Sequence, residues 1–191
     1  MKIIKSVCVF CGSKIGSDPA YEEAAIRLGK IFVEKGISLI YGGGGLGLMG
    51  AIASAVIEEG GDVVGVIPSF LKEREGGALA GSQLIVTDTM HERKKNMFER
   101  SDAFVILPGG IGTLEETFEI ATWKQLQLHT KPIVALSIND YWRGLSAILD
   151  DMILGGFAYP KIKELITVVD NPEKIFDILA NAIVLEEENF K

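Results

Sequence analysis

Short apolar runs alternate along this chain with longer stretches whose apolar residues recur at helical spacing. "IIKSVCVF" (3–10) reads as a buried strand and "DPAYEEAAIRLGKIFVEKG" (18–36) as an amphipathic helix. Asp18 stands where a cap is needed, Pro19 suits the first helical position, and Gly36 can stop the helix. The alternation continues through the strands "ISLIYGG", "DVVGVIP", "QLIVT", "AFVILPGG", "KPIVALS" and "LITVVD". Between and after them come the helices "GLMGAIASAVIEEGG", "MHERKKNMFERS", "TLEETFEIATWKQLQLH", "DYWRGLSAILDDMIL" and "NPEKIFDILANAI". Continuously apolar strands need cover on both faces, which amphipathic helices supply. The pattern predicts an α/β, Rossmann-like, doubly wound fold: a mostly parallel sheet of about seven strands with helices on both faces. Residues 1–191 read as a single domain without repeat, linker or low-complexity segment. The longest irregular stretch, "FLKEREGGALAGS" (70–82), is a candidate mobile loop at the active site, and "LEEENFK" (185–191) a frayed, solvated end.

Ligands of such sheets bind beyond the carboxyl ends of the strands. That singles out the loops "CGS", "YGGGGLG", "IPSFLKERE", "TDTMHERK", "LPGGIGT" and "SINDYW". Ser13 on the first, with Gly43 and Gly44 on the second, are candidate substrate contacts. Gly42, Gly44 and Gly47 satisfy G-x-G-x-x-G, but a dinucleotide fingerprint also wants an acid about twenty residues on, at the carboxyl end of the next strand. Asp62 has the spacing and lies at the wrong end, before "VVGVIP". These glycines read as a tight turn where a ligand can approach the backbone.

"LPGGIGTLEE" carries more chemistry. Gly109, Gly110 and Gly112 permit a turn that presents successive N–H groups, and a helix beginning near Thr113 turns its positive end to the same place. Together they form a phosphate cradle. Glu115 and Glu116 fall in the first turn of that helix, where acids also serve the dipole alone. Adjacent helical residues point about 100° apart, so one can face the pocket while the other supports the loop or faces solvent. In "MHERKK", Arg93 and Lys94 open another helix, where cations oppose the dipole. A bound anion or a facing carboxylate would account for them; a solvated basic turn is the plainer alternative. His91 reads as a packing or capping group before an acid–base one, and His129 as a helix C-terminal residue interacting with the dipole.

Composition excludes some classes. A chain of 191 residues, 48% hydrophobic, suits a packed core. The net charge of −7 argues against a nucleic-acid scaffold, though not against a local basic pocket. No signal-peptide pattern opens the chain and no run approaches the roughly 18 apolar residues of a membrane span, so a cytoplasmic location without membrane partners is expected. Cys8 and Cys11 form a C-x-x-C where a strand runs into a turn rather than at a helix start, which predicts structural cysteines.

In their order and spacing, "GGGGLGLMG", "MHERK" and "PGGIGTLEE" resemble the LOG (Lonely guy) family of cytokinin-activating nucleotide phosphoribohydrolases. "VFCGS…G…P.Y" and "ATWKQL" extend the likeness over nearly the whole chain. The resemblance implies hydrolysis of the N-glycosidic bond of purine nucleoside 5′-monophosphates, such as AMP and N6-prenylated AMP, to free base and ribose 5-phosphate. By motif it implies Arg93 and Glu116 as the catalytic pair and Lys94 as a substrate contact. Gly109, Gly110, Ile111, Gly112 and Thr113 match the nucleotide-binding loop, and Thr122 and Glu75 further contacts. It also implies a homodimer with the site near the subunit interface, to which Phe118, Trp123, Leu126 and Leu128 would contribute apolar surface. No cofactor or metal is implied. The label "possible lysine decarboxylase", often given to members, finds no lysine here in a recognisable pyridoxal-phosphate context. Two alternatives remain: a non-catalytic nucleotide or molybdenum-cofactor carrier, which need not keep the Arg93–Glu116 pair, and an NAD(P)-linked oxidoreductase, weakened by the position of Asp62.

Overall fold

The computed structural model describes residues 4–72, 74, 77 and 79–188, with side chains as far as residue 180. The elements run β1 (Ser6–Phe10), α1 (Pro19–Glu34), β2 (Ser38–Tyr41), α2 (Gly47–Glu58), β3 (Val63–Pro68), β4 (Gln83–Thr87) and α3 (Met90–Glu99). They continue with β5 (Ala103–Ile106), α4 (Ile111–Gln125), β6 (Ile133–Leu136), α5 (Arg143–Leu154), β7 (Thr167–Val169) and α6 (Pro172–Glu188). The strands form one sheet in the order β4-β3-β2-β1-β5-β6-β7. Every neighbouring pair is parallel, so the sheet expected to be mostly parallel is wholly so among the described residues.

The pleat explains the two cores. Val7 and Val9 of β1 face the layer made by α1, α2 and α6, whereas Cys8 and Phe10 face α3, α4 and α5. β5 repeats the division, with Ala103 and Val105 on the first side and Phe104 and Ile106 on the second. The strands are therefore apolar at every position, as a sheet covered on both faces requires. Helix α1 buries Ala24, Ala25, Leu28, Ile31 and Phe32, which share one helical face. Its start is the expected one: Asp18 accepts from the Ala20 N–H at 3.0 Å, with Pro19 next.

Two expectations need correction. Helix α4 begins at Ile111 rather than near Thr113, because Gly110 in an extended conformation serves as its N-cap. Glu115 and Glu116 thus lie in its second turn, past the strongest reach of the dipole. Helix α6 also runs on to Glu188, into the segment expected to fray. Within the predicted loop over 70–82, residues 73, 75, 76 and 78 lie outside the described residues.

The winding positions the site. From β1 the chain steps outward to β4, then returns to place β5 on the other side of β1. The loops leaving β1 and β5 diverge at this switch point, which opens a crevice at the carboxyl edge. At its floor the Gly12 N–H donates to the Pro108 carbonyl at 3.0 Å and joins the two loops.

Candidate active site

The crevice holds a cavity of about 600 Å³, within the size range of small-molecule sites. Ser13, Gly109, Gly110, Ile111, Gly112 and Thr113 line it, as do Arg93, Glu115 and Glu116. The three expected parts, a glycine turn, an arginine and a glutamate, therefore meet in one place.

Arg93 and Glu116 come from different elements. Arg93 is the fourth residue of α3, whose N-cap Thr89 accepts from the Glu92 N–H at 3.1 Å. Its Nη1 donates to Glu116 Oε1 at 2.7 Å and its Nε to the Val66 carbonyl of β3 at 3.0 Å. The two side chains are 9% and 10% exposed, so this is a buried, charge-assisted pair fixed at both ends. The facing carboxylate is what offsets a cation near a helix start.

Glu115 points elsewhere, as helical geometry requires. It is half exposed and accepts from Lys94 Nζ at 2.6 Å, while Glu119 accepts from the same ammonium at 2.9 Å. Burial lowers the pKa of Lys94, but the hydrogen bonds the ammonium donates to Glu115 and Glu119 outweigh it and leave the pKa above its ordinary value. Lys94 does not line the cavity. Two carboxylates hold its ammonium, and one of them, Glu115, itself lines the cavity.

Other expected contacts divide similarly. Thr122 is exposed on α4, its hydroxyl donating to the Phe118 carbonyl at 2.7 Å, and lies away from the cavity. Gly43 turns at a φ of +79° against Ile67 and Leu84, and Gly44 is buried; neither lines the crevice. Glu75 lies outside the described residues. Asp62 stands before β3, at the edge opposite the crevice, which removes the dinucleotide reading.

Gly42 has a role that the motif reading missed. A Cβ there would run into the Arg93 guanidinium and stand 2.9 Å from the Met49 sulfur. The first glycine of "GGGGLG" is thus the seat of the arginine. At Gly109 a Cβ would collide with Thr113 Oγ1 and lie 2.9 Å from the Gly12 nitrogen. Lys14, Tyr21 and Tyr141 were also missed as lining residues, although "SINDYW" was marked as a crevice loop.

Both cysteines are buried, and no disulfide joins them. Burial, with Glu116 nearby, pushes the Cys8 thiol well above its ordinary pKa, opposite to a reactive thiolate. His91 is exposed. His129 lies beyond the end of α4, accepts from the Lys131 N–H at 3.1 Å, and places Nε2 2.9 Å from the Ile120 carbonyl. Burial lowers its pKa, so it serves as a neutral hydrogen-bonding group rather than as a cation on the dipole. Among the described residues no three His, Cys, Asp or Glu side chains gather as a metal site, and no helix is long and apolar enough to cross a membrane.

A doubly wound sheet with a glycine turn and a buried arginine–glutamate pair at its switch point defines the class: an α/β protein that binds a small molecule at the carboxyl edge. Residues 49–179 match the family model described as "Possible lysine decarboxylase". The chain is 43% identical over 194 residues to the cytokinin riboside 5′-monophosphate phosphoribohydrolase LOG7 of Arabidopsis thaliana, covering 96% of this chain and 89% of that relative. It is 42% identical over 185 residues to LOG1 of the same plant, covering 96% and 86%. The chain belongs to the LOG family. Among solved structures, the molybdenum cofactor binding protein of Rippkaea orientalis superposes with a TM-score of 0.71 at 19% identity, covering 94% of this chain and 97% of that one. The molybdenum cofactor carrier protein of Chlamydomonas reinhardtii gives 0.69 at 20%, covering 94% and 98%. At that identity the likeness is one of fold.

Proposed function

We propose that this protein hydrolyses the N-glycosidic bond of purine nucleoside 5′-monophosphates, AMP or an N6-modified AMP, to free base and ribose 5-phosphate. The observation that carries the reading is the buried Arg93–Glu116 pair, lining the same crevice as the start of α4. In it the 5′-phosphate sits at the N–H groups of residues 110–113, where the helix dipole favours an anion. The ribose then spans toward Glu116. As the bond from C1′ to the base nitrogen lengthens, positive charge grows on the ribose, and the carboxylate stabilises it and takes a proton from the attacking water. The water oxygen bonds to C1′, the base leaves with the bond's electron pair, and the proton taken by Glu116 passes through solvent to the departing base, which restores the carboxylate. Arg93 orients Glu116 and a sugar hydroxyl. Met49, Leu71, Met90 and Met97 give the crevice an apolar wall that can adapt to a planar base. The named relatives are cytokinin riboside 5′-monophosphate phosphoribohydrolases, which supports including a modified purine base in this reading.

The test is base release followed by chromatography. AMP should yield adenine, and adenosine should be a far poorer substrate because it leaves the phosphate cradle empty. Comparable turnover of the two would remove the cradle assignment. A panel of purine monophosphates ranks the bases.

The reading includes a homodimer. Of the four residues expected at its face, Phe118 is partly buried against the core and Trp123 stands edge-on to Phe98 at 5.0 Å. Leu126 and Leu128 remain 63% and 68% exposed, and Ile111 at the start of α4 is 85% exposed. Thr122 lies on α4 one turn before Leu126, so its substrate contact is assigned across that interface. Light scattering should give twice the mass of the 20.7 kDa chain, and a monomer at working concentration would remove the dimer.

A further inference from the structure

The loop between β6 and α5 reaches the phosphate cradle from the strand next to β5. Two consecutive non-glycine residues there, Asn139 and Asp140, take the left-handed conformation, at φ +49° and +58°. Asn and Asp tolerate it better than most residues, yet a pair in a row is a strained arrangement that its surroundings must hold. One restraint is visible: Asn139 Nδ2 donates to Asp18 Oδ2 at 2.7 Å, tying the loop to the N-cap of α1. The next residue is Tyr141. It lines the cavity, its phenol donates to the Gly109 carbonyl at 2.6 Å, and its ring stands edge-on to Tyr21 at 5.4 Å and to Trp142 at 4.8 Å.

The bond matters because of what it grips. The Gly109 carbonyl and the Gly110 N–H belong to one planar peptide and point in opposite directions, so fixing one fixes the other. A Cβ at Gly110 or Gly112 would meet nothing within 4 Å, so no packing restrains that side of the turn. Glycines are also the least restrained residues by themselves. We infer that Tyr141 is a positioning residue, its phenol locking the Gly109–Gly110 peptide so that the N-terminus of α4 is preset for the 5′-phosphate. Asn139 and Asp18 hold the tyrosine in place. The inference rests on the phosphoribohydrolase reading for its ligand and adds a residue that acts through the loop rather than on the reacting bond.

Tyr141→Phe removes the hydroxyl and keeps the ring. Phosphate binding is shared by ground and transition states, so its loss appears in KM more than in kcat. KM for AMP should rise about tenfold, the upper range for one hydrogen bond, with kcat within about threefold. kcat/KM for adenosine should hold, so the preference for the phosphorylated substrate shrinks about tenfold in step. Asn139→Gly keeps the left-handed backbone without the tether to Asp18 and should move KM the same way by a smaller factor. A merely structural effect would lower the active fraction, reducing kcat for both substrates and leaving KM and the preference unaltered; that result overturns the inference. Calorimetric titration with AMP runs alongside. If the wild-type protein releases no base, the hydrolase reading fails, and the titration still decides: unchanged AMP affinity in Tyr141→Phe overturns the positioning role, and an affinity about tenfold weaker upholds it.

Discussion

Glu116→Gln should lower kcat for AMP by at least about a hundredfold, the usual scale for losing an acid–base group. The amide keeps the shape of the side chain and can still meet Arg93 through its oxygen. It cannot offer a full negative charge to the developing oxocarbenium ion, nor take a proton from water. AMP should still bind, because the phosphate cradle is untouched. Glu115→Gln is the contrast. That residue is half exposed and engaged by Lys94, which Glu119 also holds, so turnover should stay within a few-fold of normal. Base release by both purified, folded variants decides the matter. Near-normal turnover in Glu116→Gln with loss in Glu115→Gln would show that the wrong glutamate has been assigned, and near-normal turnover in both would leave neither glutamate a part in the chemistry.

Arg93→Ala should damage activity and stability together. It leaves Glu116 buried opposite an empty space, and breaking a buried pair from one side costs about 3–5 kcal/mol. At the size of this chain that corresponds to a fall in Tm of about 6–20 °C. kcat/KM should drop further than KM alone explains, since the arginine is assigned to both substrate and carboxylate. Gly42→Ala tests the same group from behind. Its Cβ would occupy the place of the guanidinium, so Arg93 must move away from Glu116. The variant should lose most activity while keeping both charges, with a smaller loss in Tm. A Gly42→Ala enzyme of normal kcat would show that the placement of Arg93 does not govern the chemistry.

How much of this was legible from residue order divides along a physical line. Local pattern and short-range stereochemistry predicted the seven strands and six helices, since runs of apolar residues and helical spacing are properties of neighbouring residues. The cap at Asp18 and Pro19 was legible for the same reason. The motifs "MHERK" and "PGGIGTLEE" marked Arg93, Glu116 and the glycine turn, and their family likeness assigned the partners. Their spacing also required Glu115 and Glu116 to diverge around one helix.

Tertiary structure decided everything that depends on which chain segments come to lie side by side. The start of α4 moved to Ile111 because Gly110 caps it. Lys94 found its partners in Glu115 and Glu119, carboxylates more than twenty residues distant in sequence. The reason for Gly42 emerged only where β2 and α3 converge, because the group that excludes its Cβ belongs to Arg93. Tyr141 stayed hidden for the same cause: its partner, the Gly109 carbonyl, lies 32 residues away, in the loop leaving the neighbouring strand β5. Periodicity and capping act within a few residues of chain, whereas a binding crevice is assembled from the ends of strands that only the folded sheet brings together.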